Sequence, residues 1–174
     1  MRSVISRVVS ILLLALAFTL SGCGGKEAVT FNDQIVRSLQ RLHTAGQNFG
    51  MTIAPIIQQQ NSDLSELRRT HKEAVDALTS IKTEIPTWKI PTKDSAQKLF
   101  QSFRAVMTIE EEVIGYFGDI VKIAEDPKFS NDLKAQRIEQ TIRKFEDREK
   151  AAILDLQSKQ QIFAKDHNIK LIAK

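Results

Sequence analysis

The residues best suited to do chemistry are polar side chains that interrupt the apolar stripes of the predicted helices. His71 and Glu110 fall on the buried faces of two successive predicted helices, and Glu149 falls on the buried face of a third. Counted at about 1.5 Å per residue from the loop between their helices, His71 and Glu110 lie at nearly the same height. A buried carboxylate beside an imidazole forms a charge-assisted hydrogen bond and raises the histidine pKa. The spacing predicts a polar pair, joined by Glu149, that either responds to pH or fixes the helix register.

A carboxylate-bridged di-metal centre is the alternative chemistry for helices that carry these residue types. It requires Glu-x-x-His pairs on two helices of a four-helix bundle. The residues three positions before His43, His71 and His167 are glutamine, arginine and alanine. We therefore expect no metal site and no cofactor.

The usual catalytic motifs are also missing from the sequence. It contains no phosphate-binding loop, no His-Glu-x-x-His motif and no Gly-x-Ser-x-Gly motif. The segment SAQK, Ser95 to Lys98, matches Ser-x-x-Lys by letters only and is explained by the start of a helix. We therefore expect a protein that is not an enzyme.

The single cysteine lies where an apolar run gives way to polar sequence. Two arginines precede an apolar segment from Val8 to Leu20, which is too short to cross a bilayer, and small residues follow it. This order predicts a secretory signal peptide. The residues Leu20-Ser21-Gly22-Cys23 resemble the lipobox of bacterial lipoproteins, Leu-(Ala/Ser)-(Gly/Ala)-Cys.

That resemblance implies cleavage before Cys23, a diacylglycerol thioether on its sulfur and acylation of the new amine. Two or three acyl chains suffice for stable anchoring to membrane lipid. We expect residues 1–22 to be the signal peptide and residues 23–29 a flexible tether. Removing residues 1–22 deletes two arginines and no acid, so the formal charge falls from +4 to +2, which does not favour nucleic-acid binding. Gly24 after the cysteine resembles the pattern of lipoproteins sorted to the outer membrane.

Beyond the tether, apolar residues recur at steps of three and four, which predicts four amphipathic helices. The expected helix caps or first residues are, in order, Thr30, Ser62, Asp94 and Ser130. Pro55 should kink the first helix or end it early. Short turns favour an all-α, up-down-up-down antiparallel four-helix bundle over residues 30–167, with residues 168–174 as a C-terminal tail.

In this topology the loop around Trp88 and the C-terminal tail lie at the same end as the lipid anchor. Trp88, Lys89 and Ile90 combine aromatic, cationic and apolar character that suits a lipid headgroup layer. The same residues are also typical of a hydrophobic loop that caps the end of a bundle, and this is the interpretation that we favour. The sequence leaves both interpretations open.

Four glycines fall inside predicted helices, where each costs about 1 kcal/mol relative to alanine. They are Gly46, Gly50, Gly115 and Gly118. Either the backbones of two helices approach closely there, or the glycines leave space for a small apolar pocket near Tyr116.

Together these features predict a lipid-anchored, non-catalytic helical bundle that faces the periplasm and contacts another envelope protein. The pattern loosely resembles several helical-bundle lipoproteins whose roles are not known. The alternative is a periplasmic bundle that senses a small ligand or pH. A contiguous exposed apolar patch would favour the first function, and a cavity with convergent polar groups would favour the second.

Overall fold

The computed structural model describes residues 19–20, 25–58, 60 and 63–172. The helices in these ranges are α1 (Lys26–Ile57), α2 (Leu64–Glu84), α3 (Asp94–Glu125) and α4 (Asn131–Asp166), and a 3-10 turn covers Ile85–Thr87. Two short strands, β1 (Thr19–Leu20) and β2 (Leu171–Ile172), pair antiparallel. The predicted all-α four-helix bundle is confirmed. Cys23 and the rest of the expected cleavage site, residues 21–24, lie outside the described residues.

Helix α1 begins one turn earlier than the sequence predicted. Thr30 is not its cap, because its Oγ1 donates to the Lys26 carbonyl at 2.9 Å from inside the helix. Gly25 precedes the first turn, and its carbonyl accepts the Val29 N–H at 3.2 Å. Ala28 is buried, so the apolar face extends into this turn. Residues 26–29, which we expected to be part of the tether, therefore belong to the bundle.

The other helix boundaries follow local hydrogen bonding. The Asp63 carboxylate, not Ser62, caps α2 by accepting the N–H of Ser65 at 2.8 Å and of Glu66 at 3.4 Å. Ser62 itself lies outside the described residues. The expected cap of α4 is confirmed, since Ser130 Oγ accepts the N–H of Leu133 at 3.4 Å.

The remaining two boundary predictions concern a proline and an aspartate. Pro55 lies inside α1, which continues only to Ile57, so the helix ends two residues beyond the proline. Asp94 is the first residue of α3, and its carboxylate pairs with Lys98 at 2.7 Å rather than capping the helix.

The core is built from the apolar stripes that the sequence predicted, to which α1 adds Phe31. The largest fully buried side chains are Phe31, Ile35, Phe49, Leu67, Ile81, Leu99, Phe103, Ile120, Ile138, Leu156 and Phe163. Burial of each contributes about 1.5–3 kcal/mol of hydrophobic stabilisation. Because the stripes lie on all four helices, the bundle has a single continuous core.

Helix α2 is much shorter than its neighbours, and this sets the register of the bundle. It has 21 residues, against 32 in α1 and α3 and 36 in α4. Lys82 lies two residues before the end of α2, yet its ion-pair partner Glu111 lies seventeen residues after the start of α3. A second ion pair, Arg68 with Glu125, has the same offset. Helix α3 therefore starts about 15 residues, or roughly 22 Å, beyond the end of α2 along the bundle axis.

The connection between α2 and α3 fills the space that the short helix leaves. Trp88 in this connection is 9% exposed and stacks on Phe103 at a centroid distance of 5.3 Å. Its ring also meets the edge of Phe31 at 6.5 Å, and Phe31 contacts Phe163 at 5.7 Å. We call this cluster of Phe31, Trp88, Phe103 and Phe163 the aromatic end. It closes the bundle where α1 begins and α4 ends.

Candidate functional site

A cavity of about 40 Å³ lies between the helices, from mid-height toward the end opposite Trp88. Its wall includes Gly46 and Phe49 of α1, Ala74 of α2, Glu110 and Phe117 of α3, and Phe145 and Glu149 of α4. We call the space lined by these residues the acidic cavity. Most of its wall is aliphatic or aromatic, so its carboxyl groups are its main chemical feature.

The register between α3 and α4 brings Glu110 and Glu149 to the same level. On the outer surface, the Arg148 guanidinium donates to the Glu112 carboxylate at 2.7 and 3.2 Å. Nearer the start of α3, Ser102 Oγ donates to the Asp155 carboxylate of α4 at 2.5 Å. Because both contacts join the same antiparallel helices with nearly the same offset, the residues between them are aligned. Glu149 therefore faces the cavity across from Glu110.

Both carboxyl groups prefer to keep a proton. Burial raises the pKa of Glu110 above its ordinary value, and the charge of Glu149 raises it further. Burial also raises the pKa of Glu149, with a smaller contribution from the charge of Glu146. Glu149 is only 6% exposed, whereas Glu110 and Glu146 are half-buried. In the part of the chain that the structure describes, neither Glu110 nor Glu149 has a cation or a hydrogen-bond donor as partner.

This arrangement can exchange protons or accept a positive charge. A carboxyl that is buried without a partner is neutral at a pH where an exposed glutamate is ionised. A cation that enters the cavity would supply the missing partner and stabilise the ionised form. The acidic cavity is thus the best candidate site among the described residues.

The predicted pairing of His71 with Glu110 is wrong. The His71 ring lies beside Gly118, where a Cβ would meet its Cε1 at 3.3 Å, and it meets the edge of Phe49 at 6.3 Å. Gly118 lies eight residues beyond Glu110 on α3, a rise of about 12 Å. The prediction assumed that α2 and α3 meet at a tight turn. The connection instead runs along the bundle, which shifts His71 away from the carboxyls.

The four helical glycines do not share one environment. Gly46 and Gly50 line the acidic cavity, so the predicted space exists beside them. Gly118 accommodates the His71 ring, and Gly115 is exposed with nothing near its missing Cβ. Tyr116 is not in the cavity wall, but its ring stacks on Phe145, which is, at 5.8 Å. The pocket and the carboxyls are therefore one site, although the sequence suggested two.

The Trp88 loop packs into the bundle rather than projecting from it. Trp88 is buried in the aromatic end, Ile90 is half-buried against the core, and only Lys89 is exposed. Lys93 Nζ donates to the Asp166 carbonyl at 2.8 Å, which places this loop beside the end of α4. The geometry matches the capping interpretation for Trp88.

One buried polar contact was not predicted from the sequence. Gln160 Nε2 donates to Asn32 Oδ1 at 2.8 Å, and the two side chains are 2% and 0% exposed. The contact joins α1 to α4 next to the aromatic end. The spacing of these residues could have indicated their burial. Asn32 lies three residues before Ile35 in the apolar stripe of α1, and Gln160 lies four residues after Leu156 in that of α4.

Large apolar side chains on the surface are scattered. Among the described residues they are Met51, Val75, Leu154 and Ile162, which are 38–64% exposed and lie on three different helices. They do not mark a docking surface of the kind expected for a scaffold.

Within the described ranges, no three histidine, cysteine or acidic side chains are grouped so that they could hold a metal ion. None of the helices in those ranges combines the length and apolar sequence needed to span a bilayer. No protein-family model, no curated protein and no solved structure matches this chain.

Proposed function

We propose that this protein is a lipid-anchored, non-catalytic helical bundle of the bacterial envelope that acts by contacting another envelope component. Its anchor would be Cys23, acylated after removal of residues 1–22, and it would face the periplasm from the outer membrane. The observation that carries the proposal is the sequence Leu-Ser-Gly-Cys directly after an arginine-flanked apolar segment.

The position of the bundle relative to Cys23 supports this proposal. Helix α1 begins at Lys26, only three residues after the cysteine, so an acylated sulfur would hold the aromatic end close to the lipid surface. Lys89 and Lys93 are exposed at this end. Cationic side chains close to anionic headgroups gain about 1 kcal/mol each.

Replacement of the cysteine tests the anchor. A Cys23→Ala variant should retain residues 1–22 and lack acyl groups, both of which mass spectrometry of the intact protein measures. The matched control is Ser21→Ala, which keeps the lipobox pattern and should be cut and acylated like wild type. If wild-type protein isolated from membranes begins at Met1 and carries a free thiol, the proposal is wrong.

The contact partner can be sought with the same pair of variants. Crosslinking in intact cells, followed by mass spectrometry, should recover an envelope protein with wild type and with Ser21→Ala. Loss of that crosslink in Cys23→Ala would tie the contact to membrane attachment. Recovery of no envelope protein with wild type would contradict a scaffold role.

The acidic cavity favours a second candidate, a bundle that senses pH or a small ligand. Its support is the convergence of Glu110 and Glu149 on a cavity lined mostly by apolar groups. The scattered surface hydrophobics give the scaffold role no comparable support. Anchoring and sensing are compatible, since the cavity lies in the interior and the anchor at one end.

A further inference from the structure

We propose that the acidic cavity binds a small organic ammonium ion, with Glu149 and Glu110 as acceptors for its N–H groups. This inference rests on the sensing candidate above and is independent of acylation at Cys23. It names the chemical class of the ligand, which the residues in the wall select by charge, by aromatic surface and by size.

Charge is the first selector. Glu149 is 6% exposed, points into the cavity and has no hydrogen-bond or ion-pair partner among the described residues. The residues that α1 and α2 contribute to the wall carry no titratable group, α3 contributes Glu110, and α4 contributes Glu146 and Glu149. Every ionisable group that faces the cavity is therefore acidic. A cation in this site would pair with the charge of an ionised carboxylate, whereas an anion would add a second buried negative charge.

Aromatic surface is the second selector. Phe49 and Phe117 stack at a centroid distance of 4.1 Å, and Phe145 meets Phe117 edge-on at 6.5 Å. All three rings line the cavity beside the carboxyls. Ring faces attract organic cations, and their apolar bodies can displace water from this wall. A hydrated metal ion would gain less from such a wall, because it prefers several oxygen ligands.

Size is the third selector. A volume of about 40 Å³ is several times the roughly 10–15 Å³ that one water needs. It accommodates a cation of only a few non-hydrogen atoms, such as ethylammonium. Gly46 and Gly50 maintain this space, because they contribute no side chain to the wall.

Binding of a cation and release of a proton should be linked. Burial keeps Glu149 and Glu110 protonated beyond the ordinary range of a glutamate pKa. An ammonium ion stabilises the carboxylate form, so it must lower these pKa values when it binds. The affinity should therefore increase as the pH rises from 5 to 8.

The test is a titration of the protein, isolated in the form in which the cell makes it, with ethylammonium chloride. Methyl NMR spectra should show saturable shifts at residues of the cavity wall, and the affinity should rise with pH. Glu149→Gln should bind about tenfold or more weakly, because it removes a charged hydrogen-bond partner. The matched control is Glu27→Gln, an equal charge change at an exposed position, which should bind like wild type.

Further probes distinguish a failed ligand class from a failed sensing function. Equal shifts with ethanol or with sodium chloride would overturn the ammonium class. If no cation binds but the wall resonances shift with pH in wild type, and shift less in Glu149→Gln, sensing survives and the ammonium proposal is wrong. If neither pH nor ammonium moves these resonances, both are wrong. A Glu110→Gln variant gives a second measure that does not depend on the folding of Glu149→Gln.

Discussion

At the aromatic end the buried polar groups include the neutral amides of Asn32 and Gln160, whereas in the acidic cavity they are two carboxyls. The amides bond to each other at 2.8 Å across α1 and α4. The carboxyls have neither a hydrogen bond nor a cation among the described residues, and the charge of one raises the pKa of the other. The amides are thus joined to each other by one hydrogen bond, although Asn32 Nδ2 is buried without a partner, and the two carboxyls are joined by none.

The difference separates a contact that supports the fold from one that works against it. A hydrogen-bonded neutral pair contributes modestly to stability and fixes helix register. Unpaired carboxyls destabilise the folded state wherever the pH favours their ionisation. The contact between Asn32 and Gln160 is therefore explained by its role in the fold. The acidic cavity calls for a functional explanation, because two apolar side chains would be more stable there.

The strongest test of the comparison is removal of Trp88 from the aromatic end. Trp88→Ala should lower the free energy of unfolding by about 3–5 kcal/mol, because it deletes a large buried ring and leaves a cavity between Phe31 and Phe103. Chemical denaturation followed by circular dichroism measures this change. Lys89→Ala is the control, since Lys89 is exposed and its loss should change stability by no more than about 0.5 kcal/mol.

If Trp88→Ala and Lys89→Ala had equally small effects on stability, the aromatic end would not support the fold. Trp88 would then be free to enter the lipid headgroup layer, as the other interpretation of the loop requires. Stronger vesicle binding by wild type than by Trp88→Ala would add to that interpretation only if both proteins were equally stable.

The acidic cavity should show its cost as a dependence of stability on pH. The pKa of Glu149 is raised from 4.5 to about 7 in the folded protein, so its stabilising effect is complete below pH 4.5 and is lost as the pH rises through 7. Glu149→Gln cannot ionise. We expect it to match wild type near pH 4.5 and to be more stable by about 3 kcal/mol at pH 8.

Urea denaturation at several pH values measures this difference, and Glu27→Gln is again the control. Parallel curves for wild type and Glu149→Gln would mean that Glu149 ionises as freely in the folded state as in the unfolded state. The contrast with the amides of the aromatic end would then disappear.

The sequence predicted the helices and their buried faces because apolar periodicity depends only on each local segment. Phe103, Ile138 and Phe163 lie in the core as their spacing indicated. Ser130 caps α4 as predicted, since a cap acts within one turn. Glu149 was expected on a core-facing position for the same reason, and it is buried there.

Register between helices was not predictable in the same way. The path of the α2–α3 connection depends on Trp88 docking against Phe31 and Phe103, which are distant in the sequence. That docking decides which residue of α3 meets His71, and height counted from the loop therefore failed. The partnership of Glu110 with Glu149 likewise depends on the alignment of α3 with α4, which long-range contacts determine.

The smallest expected effect concerns two glycines on α3 that the sequence could not distinguish. Gly115→Ala should stabilise the protein by about 0.5–1 kcal/mol, because alanine favours the helix and nothing lies near the new methyl group. Gly118→Ala gains the same propensity, but its Cβ would lie 3.3 Å from the His71 ring, which must shift toward Phe49. The stability gained by Gly118→Ala should therefore be smaller than that gained by Gly115→Ala, or the variant should be less stable than wild type. Thermal melts of both variants and of Gly118→Ala/His71→Ala measure this, and equal gains in the two single variants would show that His71 does not pack against Gly118.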